Sequence, residues 1–266
     1  MRKILSIISA AAILLTAGCG AAVPDTNKLP EATATPAPVE ISCFIDSDIS
    51  NVLNDIYKKY SEKHPELSVV FRAEPAEEIQ RLVEGGSSCD IVFSSSQESI
   101  ASLDDSGLIV SESVTPLIES SAVLIRSAKS KTLVTGFSDL NKAANIAVLK
   151  KDTPLGSYSY ELLNDYGITI TTDEYDSVKD IITAVADGDN ETGIIYSTDA
   201  SLAKDEIKTI SDPEDDTAYT TAEYTAALVN NSSADPARQK AAEAFFKYLL
   251  TNASRNSFIY YGFTMK

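Results

Sequence analysis

From residue 40 onward the apolar positions change period at short intervals. Three runs rich in β-branched and aromatic residues, "ISCFI" (41–45), "LSVVF" (67–71) and "DIVFS" (90–94), predict strands. Each is followed by the 3.6-residue repeat of a helix, over 49–63, 76–85 and 97–106. In the first helix Ile49, Val52, Leu53, Ile56, Tyr57 and Tyr60 share one face, and Asn51, Asp55 and Lys59 lie opposite. Glycines at 85, 86, 107, 167 and 188 mark helix ends. Strands alternating with helices in this way predict an α/β chain with a parallel sheet covered on both faces.

The pattern resumes further on. Strands are expected at "AVLIR" (122–126), "NIAVL" (145–149), "ITITT" (168–172), "TGIIYS" (192–197), "EIKTIS" (206–211) and "YTAALV" (224–229). Helices are expected over 156–166, 176–187 and 236–250, with a last short one ending at Tyr261. Two α/β lobes, with the tail returning to pack on the first, account for this order and for a length of 266 residues.

The front of the chain has a different character. Arg2 and Lys3 precede the apolar run "ILSIISAAAILL", which ends in "LTAGCG" at Cys19. The run is too short, and too soon followed by polar sequence, for a spanning helix. "LTAGC" resembles a bacterial lipobox, which implies cleavage of residues 1–18 and a diacylglyceryl anchor on Cys19; the alternative is an ordinary secretory signal in which Cys19 is incidental. Residues 19–39, rich in Pro, Ala and Thr, form the expected linker.

Charge and cysteine content narrow the classes of function. Losing Arg2 and Lys3 from 22 basic residues, against 39 acidic ones, takes the formal charge from −17 to about −19, so nucleic acid and anionic lipid surfaces are not expected partners. Cys43 and Cys89 then remain, which excludes a thiolate zinc cluster and leaves at most one disulfide; beside strands, they are expected to be buried free thiols. No metal site is expected. The lone histidine, His64, precedes Pro65 in a helix-to-strand turn and is read as a solvated turn residue, not a catalytic base. "DPEDD" (212–216) lacks the glycine and terminal glutamate of a calcium loop and reads as a surface loop. Neither phosphate-loop nor dinucleotide glycine motifs are present.

Open α/β sheets bind ligands at the carboxyl ends of their strands. Those ends are "IDSDIS" (45–50), "FRAEPAEEI" (71–79), "KDTPLGSYS" (151–159) and "GIIYSTDA" (193–200), with "YDSVKDII" (175–182) starting a helix beside them. Converging helix starts offer N–H donors and positive dipole ends, a setting that suits an oxyanion.

With these stretches the chain resembles the periplasmic molybdate-binding proteins of ABC importers, from about Ile41 to Thr264. "SNVLNDIYKKYSEKHPELSVVF", "EGGSSCDIVFSS", "DTPLGSYSYELL", "YDSVKDIITAVADGDNETGIIYSTDA", "AFFKYLL" and "YYGFT" carry the resemblance, the P-x-G-x-Y of 154–158 and "GIIYSTDA" most specifically. It implies a two-lobed periplasmic-binding-protein fold of type II, each lobe a mostly parallel sheet flanked by helices. Lobe 1 would take residues 40–120 and 224–266 and lobe 2 residues 121–223, joined by hinge strands near 119–123 and 221–226. It further implies ligand donors at the amides of Leu155 and Val178 and the hydroxyl of Tyr196. In lobe 1 the family's first serine falls on Asp48, or on Ser47 after a one-residue shift, and its second-loop serines are replaced by Ala73, Glu74, Pro75, Ala76 and Glu77.

That replacement matters energetically. A carboxylate about 4 Å from a dianion, at an effective dielectric near 20, costs on the order of 8 kcal/mol. A nanomolar site is worth only about 12 kcal/mol. A site-facing Asp48 removes most of the affinity unless it points out to solvent or is protonated; alternatively it caps its own helix through the amides of Ser50 or Asn51, filling the anion seat with the protein's own charge, or Ser47 caps and Asp48 lies in the first turn outside the cleft.

The resemblance implies a lipid-anchored, extracytoplasmic, monomeric solute-binding protein of an ABC importer, not an enzyme and without a cofactor. Its ligand would be molybdate, tungstate or a related small oxyanion, and its partners a permease and its ATPase. Two alternatives stand beside it: the same fold binding an amine or cation-bearing solute, and an envelope lipoprotein that has lost transport and contacts another protein.

Overall fold

The computed structural model describes residues 38–210 and 219–266. The leader, Cys19, nearly all of the linker and the 212–216 acidic run lie outside the described residues.

The first part of the chain runs β1 (Val39–Asp46), a 3₁₀ turn (Ser47–Ile49), α1 (Ser50–Ser61), β2 (Leu67–Glu74), α2 (Ala76–Glu84), β3 (Ile91–Ser94) and α3 (Gln97–Asp105). After β4 (Thr115–Ser127) come β5 (Asn145–Leu149), α4 (Pro154–Asp165), β6 (Thr171–Tyr175), α5 (Val178–Asp187), β7 (Thr192–Tyr196), α6 (Ser197–Leu202) and β8 (Ile207–Ile210). The chain closes with β9 (Thr220–Leu228), α7 (Pro236–Leu249), α8 (Asn252–Tyr260) and β10 (Thr264–Met265).

The strands follow one hydrogen-bonded path, β2-β1-β3-β9-β4-β7-β5-β6, with β8 and β10 also paired to β4. At one end β2, β1 and β3 are parallel, and at the other so are β6, β5 and β7. Between them β9 and β4 run antiparallel to their neighbours. β4 pairs with β9 through Ser121 and with β7 from Ala122 onward, and its register slips between Ser120 and Ser121.

Each parallel trio is buried on both faces, as such sheets require. Ile41, Cys43 and Ile45 of β1 pack with α1, Phe245 and Phe258, while Phe44 points into a second cluster with Ile79, Val83 and Leu103. The returning tail therefore completes the first core, as the apolar spacing predicted. A separate cluster joins β5 to Leu155, Leu162, Ile181 and Val185 of α4 and α5.

Two expected strands need correction, and one helix lies outside the expected elements. "AVLIR" is only the second half of the 13-residue β4. Its first half was hidden because Glu119 and Ser120 are buried polar residues, Glu119 being paired with Lys266 at 2.5 Å. The strand placed at 168–172 is found at 171–175, since Ile168 and Ile170 pack on the core without pairing while "TTDEY" takes register with β5. The six-residue α6 carries too short an apolar pattern to announce itself.

Cys43 and Cys89 are buried free thiols, as expected. Burial raises the Cys43 thiol well above its usual value and pushes Cys89 up to about 12. Neither is therefore expected to react with a thiol-exchange reagent in the native protein at about pH 8, and both should react once denaturant is added. Labelling of either in the folded state would contradict this placement. His64 sits in the expected turn, its ring stacked on Tyr60 at 4.1 Å and its Nδ1 3.1 Å from Glu66 Oε1.

Candidate functional site

The order β7-β5-β6 places three parallel strands side by side, so their carboxyl ends share one edge. From β5 the chain turns through Lys150 to Thr153, whose hydroxyl accepts from the Gly156 amide at 3.0 Å and donates to the Lys150 carbonyl at 2.8 Å. Pro154 opens α4 with the backbone angle a first turn needs. Ser177 caps α5 in the same way, accepting from the Asp180 amide at 3.2 Å. Leu155 and Val178 thus lie in first turns, where a helix leaves N–H groups without an internal acceptor. Beside them β7 ends at Tyr196, whose hydroxyl has no hydrogen-bond partner among the described residues; its ring packs on the same core as Leu155 and Val178. Leu155, Val178 and Tyr196, the positions expected in this half, stand at or after the carboxyl ends of three neighbouring parallel strands.

The tail braces that edge. Gly262 has φ +87°, and a Cβ there would lie 2.3 Å from the carbonyl oxygen of Ser197, directly after Tyr196. Only glycine allows this approach, which gives the "YYGFT" stretch a structural purpose.

At the opposite parallel trio, β1 delivers Asp46, Ser47 and Asp48 to its carboxyl end. Asp46 is buried and accepts from Ser94 Oγ at 3.2 Å, the Ser95 amide at 2.7 Å and Ser95 Oγ at 2.5 Å. Burial raises its pKa; the Ser95 bonds pull the other way, and the neighbouring Asp48 charge adds to the rise. Asp48 is exposed, and its Oδ2 accepts from the hydroxyl of Tyr224 on β9. Burial raises the Tyr224 phenol far above its usual range, and the Asp48 carboxylate raises it further.

Neither capping arrangement anticipated for this turn is found. Among the described residues no side chain caps the 3₁₀ turn or α1, and the bond near Ser47 is donated by Ser50 Oγ to the Ser47 carbonyl at 2.7 Å. Asp48 is turned away from the helix by a phenol 176 residues along the chain.

The two edges sense each other. Burial raises the Tyr196 phenol, with the charges of Asp199 and then Asp48 adding to it. Burial also raises the Asp199 carboxyl, in the first turn of α6. No Lys, Arg or His is paired with Asp46, Asp48 or Asp199 among the described residues. The edge is thus built of neutral donors and uncompensated carboxylates.

Two contributors escaped the sequence. Tyr224 was read only as the start of a strand. Ser94, Ser95 and Ser96 follow β3, whose carboxyl end is not among the candidate loops although a run of three serines stands there. Serines missing from the Glu74–Glu77 loop are present at the end of β3, two strands along the sheet and beyond β1. Glu74 itself is paired with Arg72 at 2.8 Å, and Glu77 is exposed. No group of three His, Cys, Asp or Glu side chains among the described residues is arranged to hold a metal, and no described helix is long and apolar enough to cross a membrane.

Residues 41–264 match the model of the bacterial extracellular solute-binding proteins, and the chain belongs to that family. Among its relatives, YvgL of Bacillus subtilis is 27% identical over 277 residues, spanning 99% of each chain, and is named, as a provisional assignment, an ABC transporter substrate-binding lipoprotein. The molybdate-binding protein ModA of Haemophilus influenzae is 26% identical over 250 residues, covering 86% of this chain and 92% of its own. A solved structure from Clostridium difficile, the substrate-binding domain of a transporter provisionally assigned to molybdenum, superposes with a TM-score of 0.72 at 24% identity over 85% of this chain and 98% of its own. The fold is accordingly the two-lobed α/β architecture of periplasmic binding proteins, and its business is binding a solute, not catalysis.

Proposed function

We propose that this chain is the solute-binding component of an ABC importer and takes molybdate, tungstate or a related small oxyanion between its two lobes. The observation that carries the reading is the trio at the ends of β5, β6 and β7: two first-turn amides, Leu155 and Val178, beside a Tyr196 hydroxyl without a hydrogen-bond partner among the described residues. Desolvated neutral donors of this kind hold an oxyanion without requiring a cation. The names of ModA and YvgL support the ligand class and the transport role. Ser47 and, after β3, Ser96, whose hydroxyl accepts from the Ser99 amide and keeps its own hydrogen, would supply donors from the other side. Lobe 1 would comprise 40–120 with 224–266 and lobe 2 residues 121–223, hinged where β4 changes partner at Ser120 and Ser121. A diacylglyceryl group on Cys19 would tether the protein at the outer membrane face, within reach of a permease and its ATPase.

Thermal denaturation of the full chain in molybdate or tungstate tests the proposal. A ligand at about 100 times its Kd adds roughly 2.7 kcal/mol to stability, and the melting temperature should rise accordingly. Tyr196→Phe should weaken binding about 10-fold to 100-fold, the worth of one hydrogen bond to a charged ligand. No shift with millimolar molybdate or tungstate would overturn the oxyanion reading.

A second reading, a solute bearing an amine or other cation, draws on Asp46, Asp48 and Asp199, which no basic side chain among the described residues offsets. Stabilisation by an amine with no response to oxyanions would favour it.

A further inference from the structure

The partner change of β4 deepens the two-lobe reading above and rests on it. At Ile118 and Glu119 the strand is flanked on both edges, by β9 and β10, and at Leu124 and Ile125 it is flanked by β7 and β8. Between these stretches the ladder slips: Ser120 pairs with Ala222 and Ser121 with Thr220, so Thr221 is left over as a bulge. Side chains bond the backbone there. Thr221 Oγ1 donates to the Ser120 carbonyl at 3.1 Å, and the Ser121 amide donates to Ser197 Oγ at 3.2 Å. A bulge breaks the regular ladder and lets a strand pair bend.

One residue before the bulge, Glu119 of β4 stands directly opposite Glu223 of β9. Like charges so placed push a strand pair apart, and Glu119 is buried, where a lone carboxylate is costly. Lys266 answers both, its Nζ lying 2.5 Å from Glu119 Oε1 and 2.9 Å from Glu223 Oε2. β10 carries it there: Thr264 pairs with Glu119, Met265 with Ile118, and the Lys266 amide donates to the Leu117 carbonyl at 3.1 Å. We propose that Lys266 is the positioning residue of the hinge: it straps β4 to β9 just before the bulge, so that the lobes turn about Ser120, Ser121 and Thr221 alone and meet in register around the solute. Without the strap the opposed carboxylates part, the lobes sample more orientations, and fewer molecules stand ready to close. Lys266 thereby sets affinity without touching the ligand.

Nitroxide labels on the full chain at Glu62→Cys and Glu161→Cys, exposed positions after α1 and on α4, report the inter-lobe distance by pulsed electron resonance; Cys43 and Cys89 are buried. In the absence of ligand, Lys266→Met should broaden the distance distribution of the parent. Adding Glu119→Gln and Glu223→Gln to Lys266→Met removes the repulsion and should narrow it again, which a loss of packing alone would not do. If the fraction ready to close falls to about a tenth, the Kd for molybdate rises about tenfold in Lys266→Met, and it should recover in the triple variant. A distance distribution unchanged by Lys266→Met, or a triple variant as broad as Lys266→Met, would overturn the assignment. So would a molybdate Kd that Lys266→Met leaves as it is in the parent, with the proposed function still standing. Failure of the parent to bind molybdate or tungstate would overturn the oxyanion reading instead, while the distances still decide the role of Lys266.

Discussion

Arg238→Ala is expected to lower the unfolding free energy by about 3–5 kcal/mol, because it strands a buried carboxylate. Asp90, 2% exposed at the foot of β3, accepts from the Ser42 amide at 2.8 Å and Asn231 Nδ2 at 2.9 Å. Its principal partner is the Arg238 guanidinium, which donates through Nε at 2.9 Å and Nη2 at 2.7 Å. These contacts tie β1, β3 and α7 together at the end of the sheet remote from the ligand edge. Without the guanidinium, two neutral donors face a full buried charge. For a domain of this size the loss corresponds to a fall in Tm of roughly 6–20 °C, measurable by calorimetry or chemical denaturation. A change below about 1 kcal/mol would show that water reaches Asp90 and replaces the guanidinium at little cost. Replacing Asp90 and Arg238 together by apolar residues of similar volume should recover part of the loss, since the penalty lies in the uncompensated charge.

Gly156→Ala should abolish ligand binding and destabilise the protein. Two effects of opposite sign compete here. In a helix interior alanine is favoured over glycine by about 1 kcal/mol. At this position a Cβ would stand 2.0 Å from the Lys150 carbonyl oxygen, 2.7 Å from its carbon and 2.7 Å from Thr153 Oγ1. Backbone cannot yield as a side-chain tip does, so the Lys150 to Thr153 turn must open, and the cap on α4 opens with it. Overpacking of this kind costs about 1–3 kcal/mol or more, enough to reverse the propensity gain. The functional loss should be larger, because the Leu155 amide is aimed by that turn. An affinity for molybdate reduced by less than about tenfold would show that the α4 start does not form the site. The glycine of the P-x-G-x-Y stretch thereby gains a physical reason: the cap closes too tightly around it for any side chain.

How much of this was legible beforehand depended on the distance over which each feature is decided. The face of α1 from Ile49 to Tyr60 could be read off because a helix is specified by residues three and four apart. The apolar runs of β1 and β3 and the buried thiols beside them were readable because they too are set by near neighbours in the chain, whereas the caps at Thr153 and Ser177 were not, since the expected helix starts at 156 and 176 miss them. Leu155, Val178 and Tyr196 were reached through the resemblance, and the sheet order brings them to one edge. The first half of β4 was not legible, since Glu119 and Ser120 are buried only because Lys266 and β9 come to meet them from the far end of the chain.

Asp48 shows the limit most clearly. Taken alone, the sequence determined that two aspartates stand where a strand turns into a helix, that no histidine or cysteine chemistry accompanies them, and that the chain around them forms alternating strands and helices. Local rules then offered only local partners for Asp48, the amides of the next turn. Tertiary structure chose Tyr224 instead, and gave Asp46 to the serines that follow β3. The physical reason is that side-chain hydrogen bonds at sheet edges are settled by which strands lie next to each other, and strand order here joins residues as far apart as 48 and 224.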